Sequence, residues 1–318
     1  MPEGALKSRS GFKNGQLQDS NSMGGSLRTA FIIYQAVTNH LFRRIQMNEE
    51  QLNKFFIQLY GLGDHLAYQI LPSDVTVNYI VDSREHIPAE LTGNPYVRTR
   101  SDVIKGYISY IVGCVFGRYS PPSCNLQNKN ITFGDNIASD LEESASIAQP
   151  CVILMSDEAY VSDDLTERVI GWIRDIHGAE HLADNLDFIA QSLGKKTTSE
   201  ETLRHYLVNN FYKDHVQMYR RRPIYWQFES GRQNGFKVLA YMLRWKSDTI
   251  GYVRVQLLHR MQRIYEDEID RLEDIIDRKN GREQPRVAKR KHKLLKQLKE
   301  IQDYDIRLAH LALLDKTI

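Results

Sequence analysis

At 318 residues, with 42% hydrophobic and 10% aromatic content, the chain can form one large or two small cored domains and is too apolar to be disordered. A formal net charge of +2 means that any nucleic-acid surface must come from uneven placement of charge. No apolar run approaches the roughly 20 residues of a membrane span, no charged-then-apolar signal opens the chain, and Cys114, Cys124 and Cys151 form no C-x-x-C pair. Membrane proteins, disulfide frameworks and structural zinc sites are thereby disfavoured, and a reduced cytoplasmic protein is expected.

In chain order, residues 1–26 are Gly-, Ser- and Asn-rich and read as a disordered leader. A helix is expected over 27–45, with Ile32, Ile33, Ala36, Leu41 and Ile45 as its apolar side. Asn48, with Gln51 three residues on, reads as the cap of a second helix ending at Gly61 or Gly63. Residues 64–105 read as irregular with one β-like run, VTVNYIV. The run IKGYISYIVGCVFGRY, 104–119, is apolar nearly all round and so a buried helix. Pro121 and Pro122 break it, and 121–148 reads as loop.

Asp163 and Asp164 are expected to cap a helix to Ile176, and Gly194 to close another over 182–193. Ser199 is expected to cap a longer helix that runs into RRRPIYWQFESGRQNGFKVLAYMLRW, 220–245. There the apolar period changes to two on either side of a Ser230–Gly235 turn, the pattern of a β-hairpin. Residues 250–277 and 285–314 keep three-and-four spacing around Asn280-Gly281 and Pro285. The seam would be Val253, Leu257, Met261 and Ile264 against Leu294, Leu298, Ile301, Leu308 and Leu311, an antiparallel, coiled-coil-like helical hairpin. The fold class is therefore mainly α (α+β): helical regions over 27–120 and 149–249, the latter ending in the small β-hairpin, and a C-terminal helical hairpin over 250–318.

Two surfaces are candidates for DNA. One is the base of the β-hairpin, with Arg220, Arg221, Arg222, Lys237 and Arg244. The other is the second helical arm, with Arg286, Lys289, Arg290 and Lys293 facing an acidic first arm that runs from Glu266 to Asp277. Both have an ordinary reading: cations favoured at a helix C-terminus, and cross-helix pairing. Because the acidic arm neutralises part of the second surface, local charge favours the hairpin base. Tyr225, Trp226 and Tyr241 read as core rather than as base-stacking platforms.

Several blocks in order carry a resemblance: YGLGDHLAYQILPSDVTV, YISYIVGCVFGRYS, LADNLDFIAQSLG, YKDHVQMYRRRPIYWQFESGRQNGFK and KLLKQLKEIQDYDIRLAHLA. Together they resemble the C-terminal third of the adenine-specific DNA methyltransferases of BREX phage-defence systems, the PglX family. The resemblance implies an upstream S-adenosylmethionine-binding domain, transfer of a methyl group to adenine in duplex DNA, and BREX components as partners. That chemistry needs a Gly-rich cofactor loop and an Asn-Pro-Pro-Tyr type tetrapeptide that holds a flipped adenine. Here Gly61-Leu62-Gly63 closes a helix, and Asn94-Pro95-Tyr96 lacks the second proline. His177-Gly-Ala-Glu180-His181 spells a zinc-peptidase motif, but Gly178 interrupts the helix that it requires. The expectation is a chain without catalytic, cofactor or metal residues, which assists DNA and partner docking; the alternative is a protein-interaction module that does not touch DNA.

Overall fold

The computed structural model describes residues 25–119, 150–278 and 284–315. All but the last two residues of the expected leader, the 121–148 loop and the Asn280-Gly281 turn lie outside these residues. Helix α1 is Leu27–Leu59, a single 33-residue helix where two were expected. No glycine or proline interrupts this stretch, so the amides of Glu50 and Gln51, which an Asn48 cap would serve, are already bonded to the preceding turn of a continuous helix and the cap signal has nothing to satisfy. The end matches expectation. Leu62 N–H donates to Ile57 O (2.9 Å) and Gly61 N–H to Gln58 O (3.3 Å), with Gly61 at φ +66°, a Schellman closure.

The face on which α1 docks differs from the expected one. Leu27, Phe31 and Phe42 are buried, whereas Ile32, Ile33 and Leu41 are exposed. The docked face is largely polar, because it meets irregular backbone with open hydrogen bonds. Asn39 donates to Ile80 O (2.9 Å) and accepts from Ile80 N–H (2.7 Å). Gln46 donates to Ile70 O (2.8 Å) and Glu50 accepts from Ile70 N–H (3.2 Å). Within that segment β1 (Tyr79–Val81) pairs in parallel with β2 (Val97–Thr99). Helix α2 (Arg100–Val115) follows, opened by a Thr99–Asp102 capping box, with Ile104 and Ile108 buried and every residue from Ile111 to Val115 buried.

A three-stranded antiparallel sheet divides the core. Its order is β3 (Val152–Leu154), β5 (Lys237–Tyr241), β4 (Tyr225–Glu229). The hairpin was expected; β3 was not. Every residue of β5 is buried, because helices cover both faces of the sheet. Leu239 and Tyr241 face a layer formed by α2, α3 (Leu165–His177), α4 (Leu182–Ser192), α5 (Ser199–Asn209) and α6 (Phe211–Met218). Val238 and Ala240 face the C-terminal helices. The long helix expected after Ser199 is two, broken at Asn210 (φ −121°, ψ −31°), and its cap is Thr198, in a box with Glu201. Asp164 caps α3 as expected and also forms a buried ion pair with Arg204 across to α5.

The C-terminal helices are α7 (Thr249–Tyr252), a π-helical turn (Val253–Leu258), α8 (His259–Arg278) and α9 (Gln284–Asp315). Pairs Arg254–Asp305 (2.7 Å), Glu268–Arg290 (3.1 Å) and Glu273–Lys291 (2.8 Å) run in opposite directions along the two arms, so α8 and α9 are antiparallel. The expected seam is buried or partly buried, except that Leu311 is exposed. The β4–β5 turn is clamped onto α9. Glu300 accepts from Ser230 Oγ (2.7 Å), Gln233 N–H (2.8 Å) and Gly235 N–H (3.2 Å). A side chain at Gly235 would collide with Gln297 O at 2.7 Å, which explains glycine there.

Candidate nucleic-acid interface

Helix α6 ends in a second Schellman turn, built without glycine. Arg221 N–H donates to Val216 O (2.9 Å) and Arg220 N–H to Gln217 O (3.1 Å), with Arg220 at φ 49° and Arg221 at φ 64°. Each left-handed non-glycine residue costs about 1 kcal/mol, and such strain persists only where surrounding structure holds it. Here the holders are identifiable. Buried His215 accepts at Nε2 from Ile224 N–H (3.2 Å) and Tyr225 N–H (3.4 Å), which fixes the entry into β4. Burial, with the Arg118 charge adding to it, lowers the His215 pKa to about 4, so the ring is a neutral acceptor at physiological pH. Arg118, which no local sequence signal singles out, donates to the Tyr219 hydroxyl (2.5 Å) and lies over the Tyr219 ring (5.5 Å).

Arg220, Arg221 and Arg222 are exposed on this braced turn, and no ion pair joins any of them to another described residue. Further along β4, Trp226 is 49% exposed, a correction of its expected place in the core. Its alternate, Tyr225, is buried as expected, and so is Tyr241. On an edge strand one face can turn outward, whereas a central strand has none to spare.

That difference overturns Lys237 as a free cation. It lies on the central strand, 6% exposed, where its Nζ donates to Val208 O (3.1 Å) with Glu229 3.8 Å away. Burial lowers its pKa. Arg244 is likewise turned inward, donating to Gly117 O (3.4 Å) above the Tyr241 ring (5.8 Å).

The second surface loses two of its four cations to carboxylates. Arg290 pairs with Glu158 (2.7 Å) and Glu268 (3.1 Å), and Lys293 with Asp157 (2.7 Å) and Glu158 (3.6 Å). Glu268 is the expected cross-arm partner. Asp157 and Glu158 come from the segment after β3, more than 130 residues earlier, and no local signal pointed to them. Such partly exposed pairs contribute under about 1 kcal/mol each to stability, but they cancel the local field. Arg286 and Lys289 are exposed.

The remaining motifs have structural roles. The Asn94 amide donates to Pro72 O (2.8 Å) and Val75 O (3.1 Å) and accepts from Tyr96 N–H (2.7 Å), so its hydrogen bonds hold the loop. With Gly61-Leu62-Gly63 ending α1, the two segments that come nearest to a cofactor loop and an adenine clamp do not fit either role. His177 meets Tyr107 Oη (2.8 Å) and Gly25 O (3.1 Å) through its two ring nitrogens, and Gly178 at φ +87° ends the helix before His181. Among the described residues no group of three potential ligands could hold a metal ion, and no helix is long and apolar enough to cross a membrane.

No family model matches the chain. It is 34% identical over 291 residues to the adenine-specific methyltransferase PglX of Lacticaseibacillus casei (strain Zhang), covering 90% of this chain and 22% of that protein. It is 36% identical over 225 residues to the adenine-specific methyltransferase BrxX of Escherichia coli O9:H4 (strain HS), covering 68% of this chain and 19% of that protein. The chain thus spans about a fifth of the length of these curated relatives. Over those residues it belongs to the PglX and BrxX family of BREX adenine-specific methyltransferases.

Proposed function

We propose that the chain is the non-catalytic, C-terminal portion of a BREX-type adenine-specific methyltransferase, and that it docks duplex DNA beside a catalytic domain carried elsewhere. The observation that carries this reading is the braced turn at Arg220, Arg221 and Arg222. Two consecutive strained residues are held in place, and three exposed arginines follow one another there without an ion-pair partner among the described residues. Guanidinium is the group best suited to bind phosphate bidentately. Lys237 and Arg244 are held inward on Val208 O and Gly117 O and are not counted among the contacts, and Arg286 and Lys289 are secondary contacts. S-adenosylmethionine binding and methyl transfer belong to the separate catalytic domain, and that domain and other BREX components are the protein partners, in the cytoplasm. Duplex DNA binding at two salt concentrations tests the reading. Phosphate contacts must weaken steeply with salt, and calorimetric titration of the isolated chain with S-adenosylmethionine should give no saturable heat.

A second reading, a protein-interaction module that does not touch DNA, is favoured by the neutralised pairs of Arg290 and Lys293. It predicts no salt-dependent DNA binding in the parent chain.

A further inference from the structure

Helices α2 and α6 end side by side, and each end delivers arginine. Lys105 pairs with Asp214 (3.0 Å) in the N-terminal halves of the two helices, and Arg118 donates to the Tyr219 hydroxyl (2.5 Å) just past their C-termini. The helices therefore run in the same direction. Helix α2 closes as α6 does, in a Schellman turn: Arg118 N–H donates to Gly113 O (2.8 Å) and Gly117 N–H to Cys114 O (2.8 Å), with Gly117 at φ +64°. That closure sets half-buried Arg118 against Tyr219, the residue immediately before Arg220. Its guanidinium lies over the rings of Tyr119 (4.8 Å) and Tyr219 (5.5 Å). The Tyr219 oxygen takes one of its N–H groups; the others, and the charge, have no partner among the described residues.

The buried groups around Arg118 do not neutralise it. Because His215 accepts two amides at Nε2 and is uncharged, its proton is on Nδ1, and that buried N–H has no acceptor. The buried Tyr225 hydroxyl has no partner either, and burial pushes its pKa up, so it too stays uncharged. The two helix C-termini together supply only about one unit of negative charge, against Arg118, Arg220, Arg221 and Arg222. A surplus of positive charge remains at this end of the hairpin. We propose that Arg118 is a phosphate contact of the duplex-docking surface, held ready by Tyr119 and Tyr219 for the same DNA backbone that the three exposed arginines meet; this rests on the DNA-docking reading above. Exposed arginines give up side-chain freedom when they bind, whereas Arg118 has already given it up in folding. Its planar group offers a phosphate two parallel N–H donors, which a lysine does not. Tyr219 is a positioning residue that acts through Arg118. Such a contact fixes how the duplex lies against the hairpin base and reads no sequence.

Duplex DNA binding by the full chain over a range of salt concentrations tests the proposal, with melting temperatures recorded alongside. Arg118→Gln is expected to lower the slope of log K against log salt by about one unit, equally on all sequences. Arg118→Lys, the second variant should the first fail to fold, is expected to keep the parent's slope and bind about tenfold more weakly, because the charge stays and the paired donors go. Tyr219→Phe keeps the arginine, and should also bind more weakly at the parent's slope. An unchanged slope in Arg118→Gln, where Arg221→Ala with Arg222→Ala lowers it, overturns the inference and leaves the docking reading standing. Full affinity in both Arg118→Lys and Tyr219→Phe overturns it too, since Arg118 would then act only as a distant charge. A parent without salt-dependent binding overturns both the inference and the reading beneath it.

Discussion

The turn at Arg220 to Arg222 and the arm at Arg286 to Lys293 look alike in sequence, as short cation-rich stretches beside helices. The fold leaves them in opposite electrostatic states. All three arginines of the turn project without a carboxylate partner among the described residues, whereas Arg290 and Lys293 of the arm are held by Asp157, Glu158 and Glu268. A count of cations ranks the arm higher; the count after pairing ranks the turn higher. Charge available to a phosphate is a property of tertiary structure.

The largest expected effect breaks the arm. Ile301 is fully buried between α8, α9 and the sheet. Ile301→Asp puts an unpaired charge there and should cost more than about 3 kcal/mol. Because Glu300 clamps the β4–β5 turn, hydrogen exchange should report lost protection in β4 and β5 as well as in both arms. Intact protection in the sheet would mean that the two regions are independent.

The turn has its own weak point, at His215. Its folded pKa of about 4 lies below the unfolded 6.5, so the unfolded chain takes up the proton first as pH falls. The stability involved is fully present above pH 6.5 and is lost on descent toward pH 4, on the order of 3 kcal/mol across that window. Protonation would also place an N–H against the amides of Ile224 and Tyr225. Denaturant titrations at pH 7.5 and 5 should show a smaller pH effect in His215→Gln than in the parent. An equal effect in both would remove His215 as its source.

A smaller effect isolates the clamp. Glu300→Ala leaves the Ser230 hydroxyl and the amides of Gln233 and Gly235 without their acceptor and should cost about 1–3 kcal/mol. Thermal melting checks this; a change below a few tenths would mean that water replaces the carboxylate without loss.

Local signals made several elements legible in advance. The period-two run around Ser230 to Gly235 gave the hairpin, Asp164 its helix start, and the spacing from Val253 to Leu308 the antiparallel arms. What stayed hidden depends on distant chain. β3 has three residues and no pattern of its own, and only its pairing with β5 makes it a strand. The cap at Asn48 was locally well formed, but no breaker preceded it. The apolar side of α1 was legible as apolar, but not that Ile32, Ile33 and Leu41 stay exposed, because the docking partner offers backbone groups and selects Asn39, Gln46 and Glu50 instead. At the candidate interface, Arg220 to Arg222 were legible as a cluster. The burial of Lys237 and the outward turn of Trp226 followed from which strand became central.

The central claim concerns which cations meet phosphate, and the salt dependence of duplex DNA binding measures that directly. Each phosphate contact removed lowers the slope of log K against log salt by about one unit. Arg221→Ala with Arg222→Ala should reduce it by about two units. Lys289→Ala with Arg290→Ala should reduce it by about one at most, because Arg290 is already paired. The opposite ranking would move the DNA to the helical arm and contradict the account.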